Sequence, residues 1–206
     1  MAQGNQPSCD TRTRIMQASL RLLNKQGYHA TGLSQILADA QVPKGSFYHY
    51  FDSKEQLAIE LIQHYQNLLL ERWRAMVDLN GPDCLAQLKR GLQSIVTDYN
   101  ERPNEQLGCL LASLSGELAF ASPFLRGAVQ NAIAGICDQI EQDLSHAQRQ
   151  GQVRDDIAAS TLAQLFWCSW QGATLRMKIT RSTAPLQEVG ALLLDHLYRP
   201  LPSQAH

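Results

Sequence analysis

Lys44, Gly45, Ser46, Tyr48 and His49 crowd four hydrogen-bonding side chains and one bare backbone position into six residues. Lysine, serine, tyrosine and histidine donate to phosphate oxygens and to acceptors on base edges, and no carboxylate pair or activated nucleophile stands among them. The chemistry such a set performs is recognition, not turnover. Gly45 lacks a Cβ and lets a phosphate or base approach the backbone. At about 100° per residue, Lys44, Gly45, Tyr48 and His49 share one arc of a helix, while Phe47, Tyr50 and Phe51 share the other. The aromatic arc, Tyr50 included, is assigned to the core, and the donor arc to solvent.

Three elements must hold that rod. Leu33, Ile36, Leu37 and Ala40 recur at helical spacing, with Thr31 as the expected N-cap. A turn over Gln41, Val42 and Pro43 follows, and Pro43 opens a reading helix of about seven residues. Ser53 and Gln56 form a Ser-x-x-Gln capping box that starts a further helix with Lys54 in its first turn. Thr31 and Lys54 are therefore expected to touch backbone phosphates. An earlier helix, capped by Asp10 or Thr11 and closed by Gly27, buries Ile15, Ala18, Leu22 and Leu23 against the pair. This is the pattern of a helix-turn-helix reader of duplex DNA.

The run Val42-Pro43-Lys44-Gly45-Ser46-Phe47-Tyr48-His49-Tyr50-Phe51, followed by Ser53-Lys54-Glu55, resembles the recognition segment of the TetR family of bacterial repressors. The resemblance covers about residues 10–57 by motif and the remainder in length and helical layout. It implies an all-α homodimer that binds a palindromic operator and releases it when an effector reaches the C-terminal domain. The expected organisation is an arm over residues 1–9, a three-helix head over 10–53, and a larger helical effector-binding and dimerisation domain over 54–200.

Composition accommodates this without demanding it. At 206 residues and a formal net charge of −1, the chain has length for two small cores and no global basic character. Residues 1–55 carry Arg12, Arg14, Arg21, Lys25, Lys44 and Lys54 against Asp10, Asp39, Asp52 and Glu55, an excess of two positive charges. A head that is weakly basic suits a reader that grips with two copies. Cys9, Cys84, Cys109, Cys137 and Cys168 are odd in number and never form a Cys-x-x-Cys pair, which argues against a disulfide framework or zinc knuckle. A cytoplasmic setting is expected, with no signal peptide and no membrane partner.

Beyond the head, helices are expected over about 54–79, from after Asn80-Gly81-Pro82 to about Tyr99, and from near Cys109 to Phe120. Further helices run from Ser122-Pro123 to Gly151, from an Asp155 or Asp156 cap to about Arg181, and from Pro185 to Leu197. The polar stretch from Asn100 to Asn104, with Pro103 inside, separates two of them. Leu186, Val189, Leu192, Leu193, Leu194 and Leu197 in the last helix, with Ala158, Ala159, Ala163, Gly172 and Ala173 in the one before, suggest a homodimer interface. The interior of a monomeric bundle is the other use for such surfaces.

Two routes of effector sensing are open. One is a non-covalent pocket drawn from Tyr65, Tyr99, Phe120, Phe124, Trp167, Trp170 and Met177. The other is covalent: Cys109 follows Gly108 at an expected helix N-terminus, where the macrodipole favours thiolate. The stretch from Gly108-Cys109-Leu110 to Glu117, with Lys178-Ile179-Thr180-Arg181-Ser182, is similar to the N-ethylmaleimide-responsive branch of the family. That similarity implies an electrophile effector caught at Cys109 beside Lys178. Cys109 as a small buried hydrophobe is the competing reading. No catalytic motif is found: there is no His-Glu-x-x-His, no phosphate-cradling glycine loop and no Gly-x-Ser-x-Gly elbow. Glu60 and His64, one turn apart, would need further partners to hold a metal in a helical enzyme; no metal and no cofactor is expected. An activator built on the same head is the other alternative to a repressor.

Overall fold

The computed structural model describes residues 10–81, 83–101, 110–118 and 122–201. The arm, Cys9, Pro82, Pro103, Cys109 and Phe120 lie outside them. Among the described residues the chain is helical throughout and contains no strand.

The head consists of α1 (Thr11–Gln26), α2 (Leu33–Ala40) and α3 (Lys44–Phe47). In α1 the apolar spacing buries Ile15, Ala18 and Leu23, and Gly27 ends the helix at φ 83°, ψ 175°. That conformation is open to glycine and strained for any residue with a Cβ. Gly32, not Thr31, is the N-cap of α2. The Gln35 side chain accepts from Gly32 N–H at 2.9 Å, the one half of a capping box that a glycine N-cap can make. Thr31 turns inward instead: it is fully buried, and its hydroxyl donates to Gly27 O at 2.6 Å. The left-handed Gln41, at φ 54°, ends α2, and Arg14 donates to Ala40 O and Gln41 O at 2.5 and 2.7 Å, tying that end to α1.

α3 has four helical residues rather than the expected seven. The chain continues as a turn, in which Tyr50 and Phe51 N–H both bond to Phe47 O at 2.9 and 3.0 Å. Phe47 and Phe51 are buried as expected, whereas Tyr50 is exposed, because the tighter turn rotates it off the aromatic arc.

α4 (Lys54–Met76) starts at Ser53, whose hydroxyl accepts from Gln56 N–H at 3.0 Å; it stops at Val77, short of the expected residue 79. The Gln56 amide reaches forward to Glu60 rather than back to the cap. The remaining helices are α5 (Cys84–Glu101), α6 (Leu110–Leu118), α7 (Pro123–Arg149), α8 (Ala159–Thr180) and α9 (Ala184–Ala191), the last continued by a π-helical turn over Leu192–Leu197. Ser122 caps α7 with Pro123 in its first turn. Neither Asp155 nor Asp156 caps α8; Ala158 holds that position, while Asp156 is gripped bidentately by Arg154 at 2.7 Å for each bond.

Two hydrophobic cores result. The first runs without interruption from Ile15, Ile36 and Phe47 in the head through Leu61 of α4 to Leu114 and Leu118 of α6 and Ile136 of α7. The second joins α5, α7, α8 and α9 around Leu88, Leu144, Trp170, Leu193 and Tyr198. The head is therefore packed onto α6 through α1, not merely hung from α4.

Candidate nucleic-acid interface

Phe47 and Phe51, with ring centroids 5.5 Å apart, fix the reading turn from below. Phe47 also meets the Tyr48 ring edge-on at 5.3 Å, so Tyr48 stands 55% exposed on a rigid base. Lys44, Gly45 and His49 are exposed beside it, and Ser46 is half-buried. A shallow hollow lined by Ser34, Gln41, Pro43, Lys44 and Tyr48 gives the surface its relief. Nothing lies within 4 Å of a Cβ built on Gly45, so close approach from outside meets no side chain there. Five of the seven residues expected to meet DNA thus share one open face.

Thr31 and Lys54 do not. Thr31 has no exposed hydroxyl to give a phosphate. Lys54 Nζ donates to Tyr28 O at 2.7 Å and sits 4.1 Å from the centre of the Tyr28 ring. Burial pushes the Lys54 ammonium below the ordinary lysine range, against the pull of nearby Glu117. Both residues stabilise the turn over residues 27–31 instead. The other basic residues of the head are similarly engaged: Arg12 pairs with Glu60 and stacks over Phe51, and Arg21 pairs with Asp39 at 2.6 Å. Among the described cations of the head and the first turn of α4, Lys25 and Lys44 have neither an ion pair nor a side-chain hydrogen bond, whereas Arg14 and Lys54 donate to backbone carbonyls, so Lys44 is the free lysine of the reading face.

Two polar joints connect α6 to this head: His29 N–H donates to Glu117 Oε2 of α6 at 3.1 Å, and Ser113 of α6 donates to Asn24 of α1 at 3.3 Å and itself accepts from Lys178 of α8. Within the body, Ser122 at the start of α7 donates to Glu55 of α4. Sequence periodicity gave no sign of Glu117, because its partner lies 88 residues away.

The body encloses a cavity of about 400 Å³ between α4, α5, α7 and α8. Tyr65, Tyr99, Trp167 and Trp170 line it as expected; Trp73 and Phe166 complete an aromatic wall. Phe166 and Trp170 stack with an interplanar angle of 13°. Two expected lining residues are elsewhere: Met177 is buried in the second core, and Phe124 is 75% exposed in the first turn of α7. Into the aromatic wall is set Asp143, 8% exposed, accepting from Trp73 Nε1 at 2.6 Å and from Gln139 at 3.0 Å. Burial raises its carboxyl above the ordinary range, although both hydrogen bonds and the charges of Arg74 and His146 pull it down. Among the described residues no group of three or more metal-ligating side chains converges, and Glu60 is taken up by Arg12 and Gln56.

On the outside of the body, Leu165, Cys168, Gly172, Leu175 and Ile179 form an exposed stripe along α8, with Leu192 and Leu197 exposed at the end of α9. Of the small residues expected at such a face, Ala159, Ala163 and Ala173 are buried in the second core, where they bring helices together within the chain. Among the described residues no helix is long and apolar enough to cross a membrane.

The family model described as "Bacterial regulatory proteins, tetR family" matches residues 15–61, and "Tetracyclin repressor-like, C-terminal domain" matches 84–193. The transcriptional repressor DhaR of Mycobacterium sp. strain GP1 is 30% identical over 192 residues, covering 93% of each chain. The transcriptional repressor NemR of Escherichia coli K12 is 28% identical over 191 residues, covering 93% of this chain and 96% of its own. The reduced form of E. coli NemR superposes with a TM-score of 0.78 at 27% identity, over 94% of this chain and all of that one. A regulatory protein TetR from Rhodobacter sphaeroides gives a TM-score of 0.83 at 28% identity, over 90% of this chain and 98% of that one. With the aromatic-backed reading turn, these matches settle the class: the chain belongs to the TetR family of bacterial regulatory proteins, DNA-binding regulators of transcription and not enzymes.

Proposed function

We propose that the protein is a homodimeric transcriptional repressor that binds a palindromic operator through Lys44, Gly45, Ser46, Tyr48 and His49 and lets go when an effector occupies the body. The head over 10–53 reads DNA; the body over 54–200 senses and dimerises. The observation that carries this reading is the exposed Lys44–Tyr48–His49 face mounted on the buried Phe47–Phe51 pair. Dimerisation through the α8 stripe and α9 brings two such faces to one duplex, and half-sites of a two-fold operator require it. The compartment is the cytoplasm, where bacterial DNA is.

The 400 Å³ aromatic cavity is the seat of a non-covalent effector. A covalent route at Cys109 has a supporting observation of its own: Lys178, on α8, donates to Ser113 of α6, which lies four residues beyond Cys109 in the chain. An adduct that displaced Lys178 would remove the donor to Ser113, the residue that itself donates to Asn24 of α1.

The test is a fluorescence-anisotropy titration on a duplex selected in vitro with the full chain. Lys44→Ala and Tyr48→Ala are each expected to weaken binding by about 1–3 kcal/mol with unchanged unfolding curves. Wild-type affinity in both variants overturns the assignment. Derepression by an electrophile that persists in Cys109→Ser removes the covalent route.

A further inference from the structure

A carboxyl group that is 92% buried demands a reason, and the hydrogen-bond partners of Asp143 are neutral, the charges of Arg74 and His146 acting on it only from farther off. Its two oxygens accept from Trp73 and Gln139, and among the described residues no lysine, arginine or histidine nitrogen lies within 4 Å of it. Arg74 is close, but its guanidinium donates to Gln139 Oε1 at 2.7 Å instead. Each Asp143 oxygen retains a second acceptor direction. Around it stand Tyr65, Trp73, Tyr99, Phe166, Trp167 and Trp170, whose ring faces attract cations. The other acidic group on the cavity wall, Asp98, is already paired with Arg72.

A neutral apolar guest would strip the remaining water from Asp143 and return nothing; an anionic guest would meet a like charge in a medium of low dielectric. A guest that brings an ammonium to the carboxylate and a flat apolar body to the rings satisfies both features at once.

We infer that the cavity binds an aromatic or polycyclic amine as its cation, with the ammonium on Asp143 and the ring system against the Phe166–Trp170 stack; that this guest is the effector rests on the cavity being the effector site. Asp143 and Trp73 are 70 residues apart in sequence, and their bond fixes the anchor between α4 and α7, so occupancy bears directly on the helix that leads to the head.

Three matched probes test it by calorimetry at pH 7 on the full-length dimer: 2-naphthylmethylamine, 2-naphthylmethanol and 2-naphthoate. The amine is expected to bind at least tenfold more tightly than the alcohol, with the acid weakest. Asp143→Asn, which keeps an acceptor for Trp73, is expected to lose at least tenfold for the amine while the alcohol changes less than twofold. The inference is overturned if the alcohol or the acid binds as well as the amine, if Asp143→Asn leaves amine affinity intact, or if none of the three binds. Operator release is read separately by anisotropy. An amine that binds through Asp143 yet leaves the operator held upholds the inference and sinks the effector reading of the cavity. A dimer that selects no duplex at all sinks the regulator assignment and leaves the calorimetric result standing.

Discussion

Replacing Gly27 by alanine strikes two features at one atom. The residue sits at φ 83°, ψ 175°, where a side chain costs about 1–3 kcal/mol. A Cβ there would also fall within the Glu117 carboxylate, which must move and surrender its bond from His29 N–H. That bond is to a charged acceptor but lies in an exposed position, so its loss is discounted to about 1 kcal/mol. The summed cost is about 2–4 kcal/mol, a large share of a typical domain's stability. Urea unfolding followed by circular dichroism reads it directly. The two parts separate in a double-mutant cycle: in a Glu117→Ala background the clash vanishes and Gly27→Ala should cost about 1 kcal/mol less. A cost below about 0.5 kcal/mol refutes the backbone argument. Equal costs in the two backgrounds refute the claim that α6 clamps the head at this turn.

Thr31→Val should destabilise by about 1–2 kcal/mol by leaving the buried Gly27 carbonyl unpaired, while operator affinity of the folded protein holds within twofold; a selective loss of affinity would restore Thr31 to the DNA contacts. Leu175→Glu, in the middle of the exposed α8 stripe, should shift sedimentation from dimer to monomer and weaken operator binding with it; an unchanged dimer would place the interface elsewhere. Burial raises the Asp143 carboxyl, so its contribution to stability is full below the ordinary carboxylate range and is lost as pH climbs through the raised value. Asp143→Asn does not titrate and should therefore gain on the wild type as pH rises from about 4 towards 7; a difference that stays flat across that window contradicts the burial argument.

Local patterns in the sequence were enough to place the reading turn, its aromatic backing and most helix boundaries, because caps, prolines and 3.6-residue spacing act over a few residues. Two of the errors at the head also have local causes. Threonine and glycine are comparable N-caps; Gly32 takes the position with Gln35 accepting from its N–H, and Thr31 is drawn away by the carbonyl that Gly27 leaves open. Tyr50 escapes the core because α3 gives way to a tighter turn after Phe47. The engagement of Lys54 is hidden for a different reason: its partner, Tyr28, is 26 residues distant in the turn after α1, and the partners of Arg14, at the end of α2, are 26 and 27 residues away. The cavity was half legible. Tyr65, Tyr99, Trp167 and Trp170 stand out as aromatics on helices, but Asp143 looks like any acidic residue until the fold brings Trp73 across from α4.

The engagement of the basic residues bears on how control can work. Arg12, Arg14, Arg21 and Lys54 spend their donors inside the head or on α4, so in the proposed reading the grip of one head rests on Lys44, His49 and uncharged donors. A weak single grip makes binding depend on two heads meeting the duplex in register, and register is a property of the body. The body reaches the head through Glu117 to His29, Ser113 to Asn24, Lys54 to the Tyr28 carbonyl and Glu60 to Arg12, and through the shared core that runs from Phe47 to Ile136. α4 and α8 wall the cavity, and each has a line to the head: α4 through Lys54 to Tyr28 and Glu60 to Arg12, α8 through Lys178 and Ser113. An effector therefore need not unfold anything. A shift of either helix that is small against the cavity, carried by these joints to two heads at once, costs affinity twice over, and a reader with so few free cations has little nonspecific attraction to hold it in place.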